Sequence, residues 1–118
     1  HDDPANLKVY GDGSQTRDFI YVTDVAKAMC LAAVSTRGEG EVYNVASGSI
    51  YSISELVKNW IRVCGFTPTI QYSGQVRAGD ADKWEVDISA LKNIGFLPTV
   101  SLNDGLKEIL DWYDKSFR

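Results

Sequence analysis

Gly11 and Gly13 bracket Asp12 in a run, residues 11 to 22, that reads GDGSQTRDFIYV. Two glycines so spaced let the backbone adopt left-handed angles that other residues resist. They therefore predict a turn between separate elements. Leu7 to Tyr10 reads as a short strand entering the turn, and residues 18 to 22 read as a second strand leaving it. The same turn would let backbone approach a ligand closely. Arg17 stands at the edge of the second strand, where a planar, permanently charged guanidinium suits bidentate contact with a phosphate. On these residues alone two readings stay open. One is an anion-binding corner. The other is a hairpin turn carrying a surface Arg17–Asp18 pair.

Beyond the turn, short strands alternate with amphipathic helices. Thr23 is placed to cap a helix running to about Thr36, with Asp24 in its first turn. Val25, Ala26, Met29, Cys30, Ala33 and Val34 recur on one face of it, and Gly38 and Gly40 stop it. Glu41 to Val45 reads as a strand closed by Ala46-Ser47-Gly48. Ser52 and Glu55 form a capping box for a second helix. Its apolar residues Ile53, Leu56, Val57, Trp60, Ile61 and Cys64 fall three and four apart, and Gly65 is placed to end it. Thr69 to Tyr72 is a further short strand. Residues 73 to 83 form the longest irregular segment. Asp87 caps a short helix ending at Gly95. Ser101 caps a last helix with Leu102, Leu106, Ile109, Leu110, Tyr113 and Phe117 on one face. This alternation predicts an α/β arrangement with short strands and about four helices. With no repeat and no linker, residues 1–118 read as a single domain.

Bulk properties exclude several function classes. The 118 residues carry a net charge of -4 with no lysine or arginine run, which argues against nucleic-acid or membrane-surface binding through bulk charge. An anion, if held, is held by a few placed cations. A chain of this size buries about 65% of its unfolded surface, enough for a core of its own. No apolar stretch reaches membrane-spanning length and no signal-peptide pattern is present. Cys30 and Cys64 fall at apolar helical positions and read as reduced core residues without a disulfide, as in a cytoplasmic protein. The single histidine, His1, and the absence of a cysteine cluster leave no basis for a metal site.

The usual catalytic and cofactor signatures are missing. Gly11 and Gly13 begin a G-x-G-x-x-G pattern, but Thr16 occupies its last position and no helix follows, so the dinucleotide fingerprint is absent. No tyrosine has a lysine four residues later, and there is no Ser, His and Asp set. The chain reads as a binding lobe without catalytic residues or a cofactor site of its own.

Several motifs then occur in one order: the run at 11 to 22 with Asp24-Val25-Ala26, VYNVASG at 42 to 48, SISEL at 52 to 56, RAGD at 77 to 80, DIS at 87 to 89, and GFLPTVSLNDGL at 95 to 106. Together they resemble the C-terminal part of the NAD-dependent epimerase/dehydratase family. These are extended short-chain dehydrogenases/reductases that act on nucleotide sugars and include UDP-glucose 4-epimerase. The resemblance covers about Leu7 to Tyr113. It implies that the chain is the substrate-binding lobe of a longer enzyme, whose NAD site, Rossmann domain and tyrosine–lysine pair lie outside this segment. It implies a UDP- or dTDP-linked sugar as ligand, modified through a keto-sugar intermediate.

The resemblance also assigns residues. Arg17 matches the family arginine on the substrate's phosphates or nucleotide, and Arg77 matches a second diphosphate arginine in R-x-G-D. Asp80 matches the acid that orients the arginine or accepts from a ribose hydroxyl, and a solvated loop carboxylate remains an equal reading of it. Asn44 matches an asparagine near the phosphates, with turn bonding as the alternative. Tyr21 and Tyr72 are either pocket-lining or core. Trp60 and Trp112 read as structural, and Trp84 as a cover for the pocket loop. Ala46, Thr23 and Ala81-Asp82-Lys83 depart from the family pattern. The alternative to a lobe of an enzyme is an independent, non-catalytic nucleotide- or protein-binding module. Because the family's lobes pack on one another, the chain alone is expected to expose apolar surface and to self-associate or form a homodimer.

Overall fold

The computed structural model describes residues 5–36, 40–75 and 78–117. Its elements in order are β1 (Asn6–Val9), β2 (Thr16–Asp18), α1 (Val22–Val34), β3 (Ile50–Ser52), α2 (Ile53–Cys64), β4 (Thr69–Tyr72), α3 (Ser89–Asn93) and α4 (Leu102–Phe117). This is the mixed α/β arrangement of short strands and four helices that the alternating pattern predicts. Among the described residues the strands make two pairs. β1 and β4 run parallel with Asn6 opposite Thr69 and Val9 opposite Tyr72, and β2 and β3 run antiparallel with Arg17 opposite Tyr51.

Local signals account for several element ends. Ser52 Oγ accepts from the Glu55 N–H at 3.1 Å, and Glu55 Oε2 accepts from the Ser52 N–H at 2.7 Å, the reciprocal capping box that starts α2. Gly65, at φ 70°, ends it in the left-handed conformation. Ser101 Oγ accepts from the Asp104 N–H at 3.2 Å at the start of α4. The N-cap of α3 is Ile88, with no side-chain cap bond, so Asp87 is not the cap expected there; it stands one residue earlier, where its Oδ1 accepts from the Ser89 N–H at 2.8 Å.

Elsewhere tertiary contacts overrule the local pattern. The strand expected over 18 to 22 is instead Thr16–Asp18, and α1 already begins at Val22. Its N-cap is Tyr21, which makes no side-chain cap bond, so Thr23 is not the cap. The Tyr21 carbonyl accepts from the N–H groups of Asp24 and Val25. α1 does not bury the face expected of it: Met29 and Val34 are 66% and 77% exposed, and Cys30 is exposed rather than in the core. What α1 buries is Asp24 and Ala28. Residues 41 to 45 form no strand; Tyr43 and Val45 pack instead against the core of Ala28, Leu91 and Phe96. Gly38, expected to stop α1, lies outside the described residues. Ala46 is buried, and no non-glycine described residue has positive φ, so its departure from the family turn introduces no strain.

The molecule is a thin slab of 52 × 36 × 20 Å with a radius of gyration of 17.1 Å. A compact chain of this length would have a radius near 13.5 Å. Its accessible surface of 8401 Å² likewise exceeds the roughly 6300 Å² usual for a monomer of this mass.

Candidate functional site

The turn at 11 to 15 is built from its own residues. Gly11 and Gly13 adopt φ of 75° and 81°. Asp12 Oδ1 accepts from the Ser14 N–H at 2.8 Å and from the Ser14 hydroxyl, and these bonds hold the Asp12 carboxyl below its ordinary value. A Cβ at Gly13 would run into Ser54 Oγ and the Tyr72 ring. Glycine here lets α2 and β4 close on the turn rather than making room for a ligand. The first N–H groups of α2 are also occupied: the Ile53 N–H donates to the Gln15 carbonyl and the Ser54 N–H to that of Gly13, both at 2.9 Å.

Arg17 leaves this turn on β2. One face of β2 is strapped to the loop after residue 78, since the Thr16 N–H donates to the Asp82 carbonyl at 2.9 Å and the Trp84 N–H to the Thr16 carbonyl at 3.2 Å. The strap brings Arg17 to Asp80. Arg17 Nη1 donates to the carbonyls of Ala81 at 2.7 Å and Thr16 at 2.8 Å, and Nη2 pairs with Asp80 Oδ1 at 3.2 Å. The Trp84 ring lies 5.7 Å from the guanidinium carbon. Three contacts and a ring thus hold the side chain. They leave Nε–H and one Nη2–H uncommitted among the described residues, two donors available to phosphate oxygens. Because Asp80 is half exposed, the Arg17–Asp80 pair contributes about 1 kcal/mol or less to stability, so its geometric effect matters more.

Arg17 and Asp80 line one cavity of about 230 Å³, with Gly11, Gln15, Ile53 and Gln75 among its walls. The surface pair with Asp18 does not form. Asp18 instead accepts from the N–H groups of Ser47 and Gly48, each at 2.7 Å, pinning the turn after residue 45 to β2. Arg77 lies outside the described residues. Asn44 is not brought to this cavity: it is exposed, and its Nδ2 donates to the Asp87 carbonyl at 3.3 Å. Tyr21 and Tyr72 also stand apart from it. Tyr21 packs against Gly105 of α4, and Tyr72 Oη lies 3.1 Å from Ser54 Oγ. Larger apolar grooves flank α4 at Trp112 and Ile109, but share no residue with the Arg17 cavity.

Two features escaped the sequence reading. Gln15 is a buried amide in the cavity wall; its position two residues before Arg17 on an extended segment was the available signal. The other is Asp24, whose carboxylate accepts from the N–H groups of Thr99 at 2.8 Å and Val100 at 2.9 Å, the Thr99 hydroxyl at 2.8 Å and Lys27 Nζ at 3.0 Å. Nothing local signals a partner 75 residues away.

Comparison with known proteins agrees with this architecture. The family model described as NAD dependent epimerase/dehydratase matches residues 1–46. A putative UDP-glucose 4-epimerase of Methanocaldococcus jannaschii is 33% identical over 93% of the chain and 35% of that relative. A dTDP-glucose 4,6-dehydratase of Streptomyces griseus is 34% identical over 96% of the chain and 34% of that relative. The crystal structure of a UDP-glucose 4-epimerase from Thermotoga maritima with UDP-glucose superimposes with a TM-score of 0.85 at 30% identity, over 96% of this chain and 36% of that one. The chain therefore spans about a third of the length of the relatives it matches. By motif order, fold and these relatives, the chain belongs to the NAD-dependent epimerase/dehydratase family.

Proposed function

We propose that the chain is the nucleotide-sugar-binding lobe of an NAD-dependent sugar epimerase or dehydratase acting on UDP- or dTDP-linked sugars. The observation that carries this reading is the fixed Arg17 guanidinium. It is held by Asp80 and two carbonyls at a cavity wall, with two donors left for a diphosphate. Arg17 would bind the diphosphate and Asp80 would set the plane of the guanidinium. Arg77, three residues before Asp80, would add a second cation from the same loop. Asn44 drops out of the proposed site, because it faces Asp87 rather than the cavity. A cavity of about 230 Å³ is below the usual range of roughly 300–1000 Å³ for a small-molecule site, which fits a site finished by residues outside this chain.

The glycine turn of this chain does not have the form of an NAD pyrophosphate site. The glycine turn leads into a strand instead of a helix, and Ser54 and Tyr72 fill the space beside Gly13. Redox steps through a keto-sugar therefore belong to another part of the protein, and this chain's share is binding and orientation.

The test is titration calorimetry of UDP and dTDP on the full-length protein. Arg17→Ala is expected to weaken binding by ~1.5–3 kcal/mol, about tenfold to a hundredfold. Unchanged affinity would remove Arg17 from the site. Reading the gene upstream of His1 is a second check: a glycine-rich βαβ start and a Tyr-x-x-x-Lys support the enzyme, and their absence favours a stand-alone binding module.

A further inference from the structure

Arg17 and Trp84 are made neighbours by the backbone. Thr16 and Lys83 form a parallel bridge. The Thr16 N–H donates to the Asp82 carbonyl at 2.9 Å, and the Trp84 N–H to the Thr16 carbonyl at 3.2 Å. Arg17 and Trp84 are the next residues along the two paired segments. On paired extended backbones, side chains one step past a bridge stand beside each other on one face. The guanidinium carbon of Arg17 accordingly lies over the Trp84 ring, 5.7 Å from its centre, within reach of a cation–π attraction. Burial does not explain this tryptophan. It is 56% exposed, and the core gathers elsewhere, around Ala28, Leu91 and Phe96.

The hydrogen bonds of Arg17 act at one end of the guanidinium. Nη1 donates to the carbonyls of Thr16 and Ala81, and Nη2 to Asp80 Oδ1. Apart from the side chain's own stem, bonds at those two atoms leave one swing, about the line that joins them. That swing carries Nε–H. The guanidinium carbon lies off the line, so a ring that attracts it opposes the swing. We propose that Trp84 is a positioning residue of the Arg17 site: its indole face holds the guanidinium and sets the direction of Nε–H before a diphosphate arrives. Presetting a donor lowers the ordering cost of binding. The proposal rests on the nucleotide-sugar reading above and names the residue that prepares its cation. A tryptophan that only covered the edge of β2 would act through bulk, and an aliphatic side chain could replace it. One that holds a cation acts through its π face, and another aromatic ring could replace it.

The test is calorimetric titration of the full-length protein with UDP and dTDP. The proteins are wild type, Trp84→Phe, Trp84→Leu, Arg17→Ala and the double variant Arg17→Ala/Trp84→Leu. Trp84→Leu should weaken binding about threefold to fivefold. Trp84→Phe should weaken it by less than about twofold, because it keeps a π face at the same place. In the Arg17→Ala background Trp84→Leu should change nothing, since the ring then has no cation to hold. Trp84→Met, which also lacks a π face, serves the same comparison if the leucine variant fails to fold. Affinity unchanged in Trp84→Leu overturns the proposal, as does an equal loss in Trp84→Phe and Trp84→Leu. A loss of the same size with and without Arg17 also overturns it, because the ring would then act on the ligand rather than on the cation. A wild-type protein that binds neither nucleotide overturns the nucleotide reading itself. Binding that is sensitive to Arg17→Ala but not to Trp84→Leu overturns only the role of Trp84.

Discussion

Asp24 is a fully buried carboxylate on α1 that holds the chain at Thr99 and Val100, just before α4. Burial alone would raise its pKa. The Val100 N–H, the Thr99 hydroxyl and N–H, and the Lys27 ammonium outweigh that, and hold the group well below the usual carboxylate range. A carboxyl depressed in the folded state stabilises the fold fully above its unfolded value, about 3.9. That stabilisation is lost as the pH falls through the folded value. Wild-type stability should therefore decline steeply below about pH 4, and Asp24→Asn should be less stable at neutral pH with a shallower acid decline. Urea unfolding at a series of pH values checks this, and parallel acid limbs would exclude Asp24 as their source. Asp24→Ala is expected to destabilise by about 3 kcal/mol, because several buried donors lose a charged acceptor together.

The helices differ in how they are specified. α2 is held by its own ends, so Ser52→Ala should lower stability by about 1 kcal/mol, read from the shift in a chemical unfolding midpoint. An unchanged midpoint would mean that contacts with α4 rather than the capping box fix where α2 begins. That difference also explains what could be read in advance. Capping side chains three residues from their partners, and a glycine at a helix end, act over one turn, so the bounds of α2 and the start of α4 were legible. The run Phe19-Ile20-Tyr21 looks like a strand by composition, yet α1 starts immediately after it, and Asp24 in its first turn reaches Thr99. The apolar positions of α1 and of residues 41 to 45 were visible, but helical or strand spacing does not say whether a partner for them lies within the chain. At the site, Arg17 and Asp80 were legible as motif residues, whereas the strap joining them depends on backbone bonds from Thr16 to Asp82 and Trp84, far along the sequence. Gln15 looked like an ordinary turn residue, because its burial appears only once the chain has folded around it.

Across the whole molecule, the uncovered side chains are large ones. Val42, Leu97, Trp112 and Phe117 are 60–89% exposed, more apolar surface than isolated soluble domains usually leave bare. The 118-residue chain should therefore self-associate, and light scattering that reports a monomer at high protein concentration would contradict this. Charged substitutions at Met29 and Val34, both exposed on α1, would test whether that helix takes part.

The 20 Å depth of the slab is about two helix diameters, so few backbone amides lie far from solvent. Deuterium uptake should consequently be rapid over most of the chain and slow around Ala28, Leu91 and Phe96. The amides of Thr99 and Val100 form a separate class. Their protection comes from one carboxylate rather than from a helix or sheet, so acidification should release these two together as Asp24 takes up its proton.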